Sequence, residues 1–442
     1  MSADSSSDLK GLELARRLAA VDCPAFAHRR NNRAGASPDG PPPIVLARGR
    51  GHEVTDVDGR TYVDLVAGFG SLLLGHDHPA IRQAIAKQST KLVQGMGDVY
   101  ASDVKVEIME RIAALSAAAF DWPDAQVLLC QSGGDAVTAA LKTATLATGR
   151  DTIIAFDGAY HGLGYAPLAA CGFQAGFRAP FAEQLSKHIL FAPYPGVRGA
   201  TERHALDFVA QCLEQEKVAA VLVEPILGRG GCVVPQKNFL RQLAAQARAS
   251  GALLIADEIW TGLGRTGTLV RSADEGAHAD IVCFGKGLGG GLSLSACVAP
   301  AAIMGAWAQG GQVVHSSTHA GHPLSCATAL ATLETLEREQ LVRRSREVGS
   351  RFVATLQREL TGLEAVTEIR GEGLLIGIEL SSATLTQRLV GELREAGFLV
   401  ITGGVAGDTL TLSPALTIEE ADLSRYATTL SSLLHSTAAE TD

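Results

Sequence analysis

The hydrophobic pattern from about residue 120 to residue 299 alternates short apolar segments with longer stretches that carry apolar residues at helical spacing. The apolar segments predict strands, because each is short, apolar and bounded by turn-forming residues. They cover residues 126–130, 152–156, 219–224, 252–257, 280–284 and 295–299. Intervening helices are predicted over residues 135–147, 205–216 and 238–249. This alternation favours an α/β fold whose mostly parallel sheet is covered by helices on both faces.

The pattern differs on either side of this region. Residues 36–51 are rich in Pro and Gly and predict a loop, and residues 54–63 alternate strand formers around an Asp58-Gly59 turn, which predicts a hairpin. After Pro323, one long helix is predicted over residues 325–348, and a mixed α+β segment follows. We therefore predict a large domain over residues 71–314 and a smaller domain formed by residues 1–70 together with residues 315–442.

Composition and charge narrow the class of protein. With 442 residues, 46% of them hydrophobic and 19% charged, the chain is long enough for two or three folded lobes with a large core. Its net charge of −9, without a basic cluster, argues against nucleic-acid binding. No run of about eighteen apolar residues is present, so no membrane span is predicted.

The N-terminal segment and the cysteines predict a cytoplasmic protein. Residues 1–10 are polar and lack the apolar segment of a secretory signal. The eight cysteines are scattered singly, without a Cys-x-x-Cys pair. We therefore predict buried thiols in a reducing compartment, and neither a disulfide framework nor a metal site.

The first candidate for chemistry is Lys286, the one lysine between Lys237 and the C-terminus. Elsewhere the chain prefers arginine, with 9 Lys against 29 Arg. A side-chain amine that adds to a carbonyl must be lysine, because guanidinium stays protonated. Lys286 follows a predicted strand and lies among the glycines of residues 285–291, a setting that indicates a reactive lysine. An exposed lysine in a turn is the alternative interpretation of this segment alone.

Two acidic residues and a glycine-rich turn fall at the same edge of the predicted sheet. Glu224 and Asp257 each end a strand, and parallel strands bring their carboxyl ends together. Gly133 and Gly134 lie between a strand and the following helix, where backbone N–H groups and the helix dipole favour an anion such as phosphate. The spacings of a P-loop and of a dinucleotide fingerprint are absent, which disfavours a nucleotide-binding enzyme.

Two further side chains are placed to enclose a flat ring. Tyr160 follows the strand predicted over residues 152–156, and Ile259 stands two residues after Asp257. Each feature alone is also typical of ordinary loops and cores. Together, an amine nucleophile, a carboxylate, an anion cradle and two side chains facing a ring indicate a site for pyridoxal 5′-phosphate (PLP).

The motifs around these residues resemble the class III PLP-dependent aminotransferases, the family of the ornithine, 4-aminobutyrate and ω-amine transaminases. The matching motifs are spread over nearly the whole chain: residues 54–64, Ser132-Gly-Gly-Asp135, Tyr160-His-Gly162, Val223-Glu-Pro-Ile226, residues 256–267, Phe284-Gly-Lys-Gly-Leu288 and residues 369–374. The resemblance implies an α/β protein of fold type I, with a large PLP-binding domain and a smaller α+β domain. It also implies a homodimer with its sites at the subunit interface.

The resemblance implies roles for individual residues. Lys286 would form the Schiff base with the cofactor, and Asp257 would keep the pyridine nitrogen protonated. Gly133 and Gly134 would bind the phosphate, and Thr318 would reach it from the neighbouring subunit. Tyr160 and Ile259 would then lie on the two faces of the cofactor ring.

The sequence departs from the family pattern where relatives bind substrate. Leu163 and Thr411 stand where many relatives carry carboxylate-binding arginines, and Arg229 stands where a glutamate is common. Trp260 replaces a glutamine that faces the ring. We expect Arg229 to bind a substrate carboxylate instead, because charge-assisted Arg–carboxylate contacts are among the stronger ones. Phe69 stands where relatives carry pocket-lining aromatic residues, which would favour a partly apolar donor.

The expected reaction is transfer of an amino group from an amine or ω-amino donor to an oxo-acid acceptor. Lys286, Asp257 and Tyr160 are the candidate catalytic residues, and Glu224 is a tentative substrate contact. Lys286 must be neutral to move a proton, and burial would lower its pKa. A racemase, epimerase or aminomutase on the same scaffold is the nearest alternative, since the acceptor arginines are missing. A cofactor-binding protein without catalysis is a further alternative, which the intact site residues disfavour.

Overall fold

The computed structural model describes residues 8–33, 44–309 and 311–439, so residues 36–43 of the predicted loop lie outside the described part. Its helices span Asp8–Val21, Pro24–Arg33, Pro79–Ser89, Asp103–Phe120, Gly133–Thr148, Tyr165–Ala169, Ala175–Arg178, Glu202–Gln215, Phe239–Ser250, Arg271–Asp274, Ala301–Met304, Pro323–Arg338, Leu341–Glu359, Ala383–Glu395 and Glu420–Ala439. Its strands are β1 (Leu46–Arg50), β2 (Glu53–Asp56), β3 (Thr61–Asp64), β4 (Gln126–Cys130), β5 (Thr152–Phe156), β6 (Ile189–Ala192), β7 (Val218–Val223), β8 (Leu253–Asp257), β9 (Ile281–Phe284), β10 (Ser295–Ala299), β11 (Val366–Glu372), β12 (Leu375–Leu380), β13 (Phe398–Leu399), β14 (Ile401–Gly403) and β15 (Thr409–Leu412).

The central element is a seven-stranded sheet with the order β4-β10-β9-β8-β7-β5-β6. Strands β9, β8, β7, β5 and β6 pair in parallel, and β10 is antiparallel to both of its neighbours. The six predicted strands are all present in this sheet, within one residue at each end. Strand β6 was missed, because a four-residue apolar segment is too short to give a clear pattern.

Helices cover both faces of this sheet, as the alternation of strands and helices predicts. All six residues of β7 are buried, and successive side chains point to opposite faces. Leu222 belongs to the hydrophobic cluster beneath the helix Gly133–Thr148. Val221 belongs to the larger cluster that includes the apolar side of the helix Phe239–Ser250. The sheet is therefore held from both sides, and its carboxyl edge lies open to a cavity.

Two smaller sheets complete the fold. Strands β11, β12, β15 and β14 form an antiparallel sheet, and β1, β2 and β3 form another that continues into β13. The predicted hairpin is the β2–β3 pair, with Gly59 in the turn at φ 89°. Parallel pairing of Val63 with Phe398 joins the N-terminal segment to the C-terminal third. The division into residues 1–70, 71–314 and 315–442 stays a prediction.

The prediction of a single long helix over residues 325–348 is wrong. The chain forms two helices there, Pro323–Arg338 and Leu341–Glu359, separated by Gln340 in a left-handed conformation at φ 50°. The break redirects the chain so that the second helix buries Val348 and Phe352 in the core. Both helices are apolar on one side, and the sequence between them contains neither Pro nor Gly to indicate the break.

All eight cysteines are free, and seven of them are buried or half-buried as predicted. Cys23 is the exception, because it lies exposed in the link between the two N-terminal helices. No helix in the described ranges is both long and apolar enough to cross a membrane.

The contact between the helix Leu341–Glu359 and the loop before β12 yields a stability prediction. A Cβ at Gly349 would lie 1.9 Å from the carbonyl oxygen of Gly373, so Gly349→Ala must displace backbone. We expect the free energy of unfolding to fall by about 1–3 kcal/mol, the usual cost of overpacking, measured from urea unfolding midpoints. The matched control is Gly176→Ala, a helical position where a Cβ would meet nothing within 4 Å. Equal midpoints for the two variants would contradict this packing.

Candidate active site

A cavity of about 670 Å³ lies at the carboxyl edge of the central sheet. It gathers most of the residues predicted for the site, which are Gly133, Gly134, Tyr160, Glu224, Asp257, Ile259, Trp260 and Lys286. A smaller cavity of about 240 Å³ adjoins it and shares Tyr160, Trp260 and Lys286. Phe69 and Arg229 line the smaller cavity. Of the predicted site residues, Thr318 lines neither cavity.

Lys286 lies directly after β9, and the local backbone aims its amine into the cavity. Gly285 is extended, and Lys286 itself has φ 43°, a left-handed conformation that costs energy for a residue with a Cβ. The Nζ atom lies 3.8 Å from the centroid of the Trp260 ring. Burial lowers the pKa of Lys286 from 10.5 to about 8, although the nearby carboxylates of Glu224 and Asp257 oppose this shift. Burial therefore favours the neutral form of this amine.

Asp257 ends β8 and is buried at the base of the cavity. Its Oδ2 lies 2.7 Å from Nδ1 of His161, and its Oδ1 accepts a hydrogen bond of 3.1 Å from the backbone N–H of Ile259. His161 is fully enclosed, and its Nε2 has no partner among the described residues. Two fixed hydrogen bonds hold this carboxylate in one orientation, which suits a residue that must face a ring nitrogen.

His161 was not predicted as a site residue, although it stands inside the Tyr160-His-Gly162 motif. Its sequence position shows only that it follows β5, and one histidine after a strand is not specific. Its role depends on the contact with Asp257, 96 residues further along the chain. That contact exists because β5 and β8 both pair with β7 in the sheet.

The predicted anion cradle is the N-terminus of the helix Gly133–Thr148. Ser132 caps it, accepting a hydrogen bond of 3.2 Å at Oγ from the backbone N–H of Asp135. A Cβ at Gly133 would lie 2.9 Å from the side chain of Ile259, so only glycine allows this close approach. The free N–H groups of a sixteen-residue helix therefore face the cavity with no side chain in the way.

Glu224 acts on the backbone of two neighbouring loops. Its Oε1 accepts a hydrogen bond of 2.8 Å from the N–H of Tyr160, and its Oε2 accepts one of 3.1 Å from the N–H of Gly228. Burial raises the pKa of Glu224 from 4.5 to about 7, against the lowering effect of His161. These bonds make Glu224 a positioning residue for the cavity wall, and its predicted contact with substrate stays a prediction.

Trp260 forms the wall between the two cavities and is held between two glycines. A Cβ at Gly228 would lie 2.3 Å from Cε3 of the indole, and a Cβ at Gly70 would lie 2.4 Å from its Nε1. Gly70 has φ 80° and closes a short left-handed turn, Ala67–Gly70, that includes Phe69 at φ 60°. The tryptophan therefore fits because Gly70 and Gly228 lack side chains. Its ring is the apolar surface against which the amine of Lys286 lies.

Arg229 lies in a group of aromatic rings. Its guanidinium carbon is 4.5 Å from the ring centroid of Tyr160, 4.8 Å from that of Phe173 and 5.3 Å from that of Phe177. Such contacts stabilise a cation without neutralising it. Within the described residues, no carboxylate forms a salt bridge with Arg229.

Thr318 is exposed in this single chain, and its carbonyl oxygen accepts a hydrogen bond of 3.1 Å from the side chain of Gln94. Its neighbour Ser317 does line the larger cavity and contacts Gln131 at 2.5 Å. Thr318 therefore lies outside both cavities of its own chain, and its contact with a phosphate of the neighbouring subunit stays a prediction.

The family model described as aminotransferase class-III matches residues 34–434. The chain belongs to the class III aminotransferases. Acetylornithine aminotransferase of Mycobacterium bovis is 36% identical to this aminotransferase over 395 residues, which are 89% of this chain and 92% of the relative. An acetylornithine aminotransferase of Methanothermobacter thermautotrophicus is 33% identical over 381 residues, covering 86% of this chain and 91% of the relative.

Two solved structures show the same fold. An amine transaminase from an uncultivated Pseudomonas species, in a PLP-bound form, has a TM-score of 0.83 and 28% identity, covering 90% of this chain and 96% of that one. The ornithine aminotransferase of Toxoplasma gondii ME49 has a TM-score of 0.81 and 28% identity, covering 98% and 99%. These similarities confirm the predicted fold class, a fold-type I α/β enzyme, and the predicted transamination chemistry.

PLP is the cofactor of this class III aminotransferase, and the residues of the larger cavity fit it. The cavity offers a free amine at Lys286, a fixed carboxylate at Asp257 and unobstructed N–H groups at Gly133. An amine, a carboxylate and exposed N–H groups are the kinds of partner that the cofactor requires, and the role of each residue stays a prediction.

The lowered pKa of Lys286 predicts how cofactor binding depends on pH. Only the neutral amine reacts, so capture of PLP by the apoprotein should speed up as pH rises through about 8 and level off above it. The rate is measured from the visible absorbance that develops after mixing. The control is Lys187→Ala, an exposed surface lysine, which should leave the profile unchanged. A midpoint near the ordinary lysine value of 10.5 would contradict the burial of this amine.

Proposed function

We propose that this class III aminotransferase moves an amino group from a primary amine or ω-amino donor to an oxo acid, with Lys286 as its central catalytic residue. The observation that carries the proposal is the single cavity in which a buried amine, a fixed buried carboxylate and a helix N-terminus lie together. The relatives named acetylornithine aminotransferase, and the similar amine transaminase and ornithine aminotransferase structures, support donors that carry a primary amine.

The proposed roles follow from where each side chain lies. Lys286 would hold the cofactor covalently through Nζ until the amine of the substrate replaces it there, and the released neutral amine of Lys286 would then move a proton to and from the carbon of the substrate. Asp257, oriented by His161, keeps the proton on the ring nitrogen of the cofactor. When bound, PLP supplies a ring that accepts the electrons left at the substrate carbon.

The remaining roles are binding roles. The N–H groups of Gly133 and Gly134 bind the phosphate at the helix N-terminus. Tyr160 and Ile259 both line the larger cavity, where we place them on opposite faces of the cofactor ring. Trp260, stacked against the amine of Lys286, excludes water from the reacting side of the cavity.

A racemase, epimerase or aminomutase reaction on the same scaffold is the second candidate. It is favoured by Leu163 and Thr411, which stand where many relatives carry arginines for an acceptor carboxylate. Such an enzyme would form product without any oxo acid, because the amino group returns to the same molecule. Transamination remains the first candidate, because the relatives at 33% and 36% identity are named aminotransferases.

We further propose a homodimer in the cytoplasm, with the active sites at the subunit interface. Exposed apolar side chains occur in the two segments that contain Gln94 and Thr318, among them Tyr100 at 68% and Val313 at 76% exposure. Gln94, close to Tyr100 in sequence, is hydrogen-bonded to Thr318, so these residues belong to one surface. A second copy covering that surface would bury it and bring Thr318 to the partner's phosphate site. Eight free cysteines agree with a reducing compartment.

Visible absorbance tests the proposed function directly. We expect the purified holoenzyme to absorb in the visible range, to lose that band with an amine donor and to regain it with an oxo acid. Lys286→Ala should lose the response and reduce turnover by about a thousandfold or more, because it removes both the covalent link and the general base. Lys187→Ala serves as the matched control. Product formation without an oxo acid would instead establish the racemase or mutase reaction.

A mixing experiment tests the proposed interface. Lys286→Ala and Thr318→Glu should each be inactive alone, the second because a carboxylate repels the phosphate. If Thr318 serves the partner's site, subunits mixed from the two variants form hybrid dimers with one intact site, which restores about a quarter of native activity under random exchange. If Thr318 serves its own subunit, every site in the mixture is defective and no activity returns. The measurement is turnover after mild dissociation and reassembly.

A further inference from the structure

Three side chains of the kinds that bind metal ions converge beside the N-terminus of the helix Gly133–Thr148. Cys130 ends β4, Asp135 lies in the first turn of the helix, and His315 lies in the loop that also contains Thr318. The sulfur of Cys130, a carboxylate oxygen of Asp135 and a ring nitrogen of His315 all lie within 4.8 Å of one another. The scattered cysteines predict no metal site, because Cys130 and His315 are 185 residues apart and no local motif joins them. Only the fold brings these ligands together.

Nε2 of His315 faces both of the other ligands. It lies 3.4 Å from Oδ1 of Asp135 and 4.0 Å from Sγ of Cys130. In a tetrahedral zinc site, bonds of about 2.0–2.3 Å place the ligand atoms about 3.3–3.8 Å apart. The three atoms therefore form one face of a tetrahedron after side-chain shifts of about 1 Å, and the fourth position stays open to water. Asp135 lines the larger cavity and is 27% exposed, so ions in solvent can reach the site.

Neighbouring groups already hold two of the ligands in these positions. Oδ2 of Asp135 accepts a hydrogen bond of 3.0 Å from the backbone N–H of Gln131, which leaves Oδ1 for the metal. The ring centroid of His315 lies 6.2 Å from that of Trp307, and the indole N–H of Trp307 donates a hydrogen bond of 2.9 Å to the hydroxyl of Thr143. Contacts of this kind, outside the ligands themselves, fix the orientation of the ligands and strengthen metal binding.

Metal binding at this site would exchange a proton for a cation. Without a metal, burial raises the pKa of the Cys130 thiol, whose sulfur contacts the carbonyl oxygen of Leu128 at 3.6 Å. A coordinated dication removes that proton: the S–H bond breaks, the bond between sulfur and metal forms, and the proton leaves to solvent. The thiolate and the carboxylate of Asp135 then balance the two positive charges. Both anions are needed, because the positive end of the helix and Lys142 lie close by.

We propose that Cys130, Asp135 and His315 form a site for a divalent transition metal of the zinc type, here named the Cys-Asp-His site. One thiolate, one carboxylate and one imidazole favour Zn²⁺ over Mg²⁺ and Ca²⁺, which prefer oxygen ligands alone. The ion would join the end of β4, the first turn of the helix Gly133–Thr148 and the loop that contains Thr318. Such a clamp is independent of the proposed transamination, because no step of that reaction uses it.

Equilibrium dialysis of the holoenzyme against Zn²⁺ tests the Cys-Asp-His site. The protein carries no affinity tag and is first treated with a chelator, and bound zinc is then measured by atomic absorption. We expect the native protein to bind about one Zn²⁺ per subunit at this site. Cys130→Ser and His315→Gln should each raise the dissociation constant of Zn²⁺ by about tenfold or more, because each removes one of three protein ligands.

The matched controls are Cys326→Ser, which changes another fully buried cysteine, and His188→Gln, which changes an exposed histidine. Both residues lie outside the group of three ligands, so both variants should bind Zn²⁺ like the native protein. Native protein that takes up no Zn²⁺, or equal uptake by the native protein and the two ligand variants, would overturn the proposal. If circular dichroism shows that Cys130→Ser does not fold, His315→Gln decides, because His315 lies in a partly exposed loop.

Two further readouts separate the Cys-Asp-His site from loose surface binding. Co²⁺ in a tetrahedral site with a thiolate absorbs strongly in the visible range, beyond the band of PLP, whereas loosely bound Co²⁺ keeps six oxygen ligands and absorbs weakly. We expect the strong absorption in the native protein and its loss in Cys130→Ser. Because the ion joins three segments, Zn²⁺ should raise the melting temperature of the native protein by about 2 °C or more and leave that of His315→Gln unchanged. A weak Co²⁺ spectrum, or equal shifts in the two proteins, would contradict the clamp.

Discussion

The burial of one amine is the constraint on which the active site depends. Lys286 carries a charge that the surrounding cavity disfavours, and two nearby carboxylates only partly offset this effect. The apolar surface that shields it is Trp260, which fits only because Gly70 and Gly228 leave room for the indole. The positive φ of Lys286 is the backbone strain that this placement requires. Gly70 and Gly228 are both far from Lys286 in sequence. They therefore affect the environment of Lys286 only through the tryptophan for which they leave room.

Glu224 links the cofactor side of the site to the substrate side. It holds Tyr160 with one oxygen and the loop of Arg229 with the other, so both loops depend on one buried carboxylate. The small antiparallel sheet holds the same loop from the opposite side, through Gly404. The geometry around the reacting amine is thus set jointly by the large parallel sheet and by the C-terminal third of the chain.

Much of the fold and of the cofactor site could be predicted because the patterns involved are local. A strand buried on both faces is a short apolar run, and the residues at its carboxyl end are read directly from the sequence. Contacts between distant segments were harder to predict. Gln340 breaks a helix without Pro or Gly, His161 matters only beside Asp257, and Arg29 reaches the substrate side from an N-terminal helix that carries no motif.

The sequence by itself determined the sheet and was enough to predict a reactive lysine, a carboxylate and two glycines for the cofactor, because these features need only the right residue at the end of the right strand. Only the tertiary structure decided the environment of those residues. Three properties depend on burial and on distances between segments far apart in the chain. They are the lowering of the pKa of Lys286, the hydrogen bonding of Glu224 to backbone N–H groups, and the set of cations that share a cavity with Arg229. Desolvation and hydrogen bonding act through space, so their strength cannot be read from residue order.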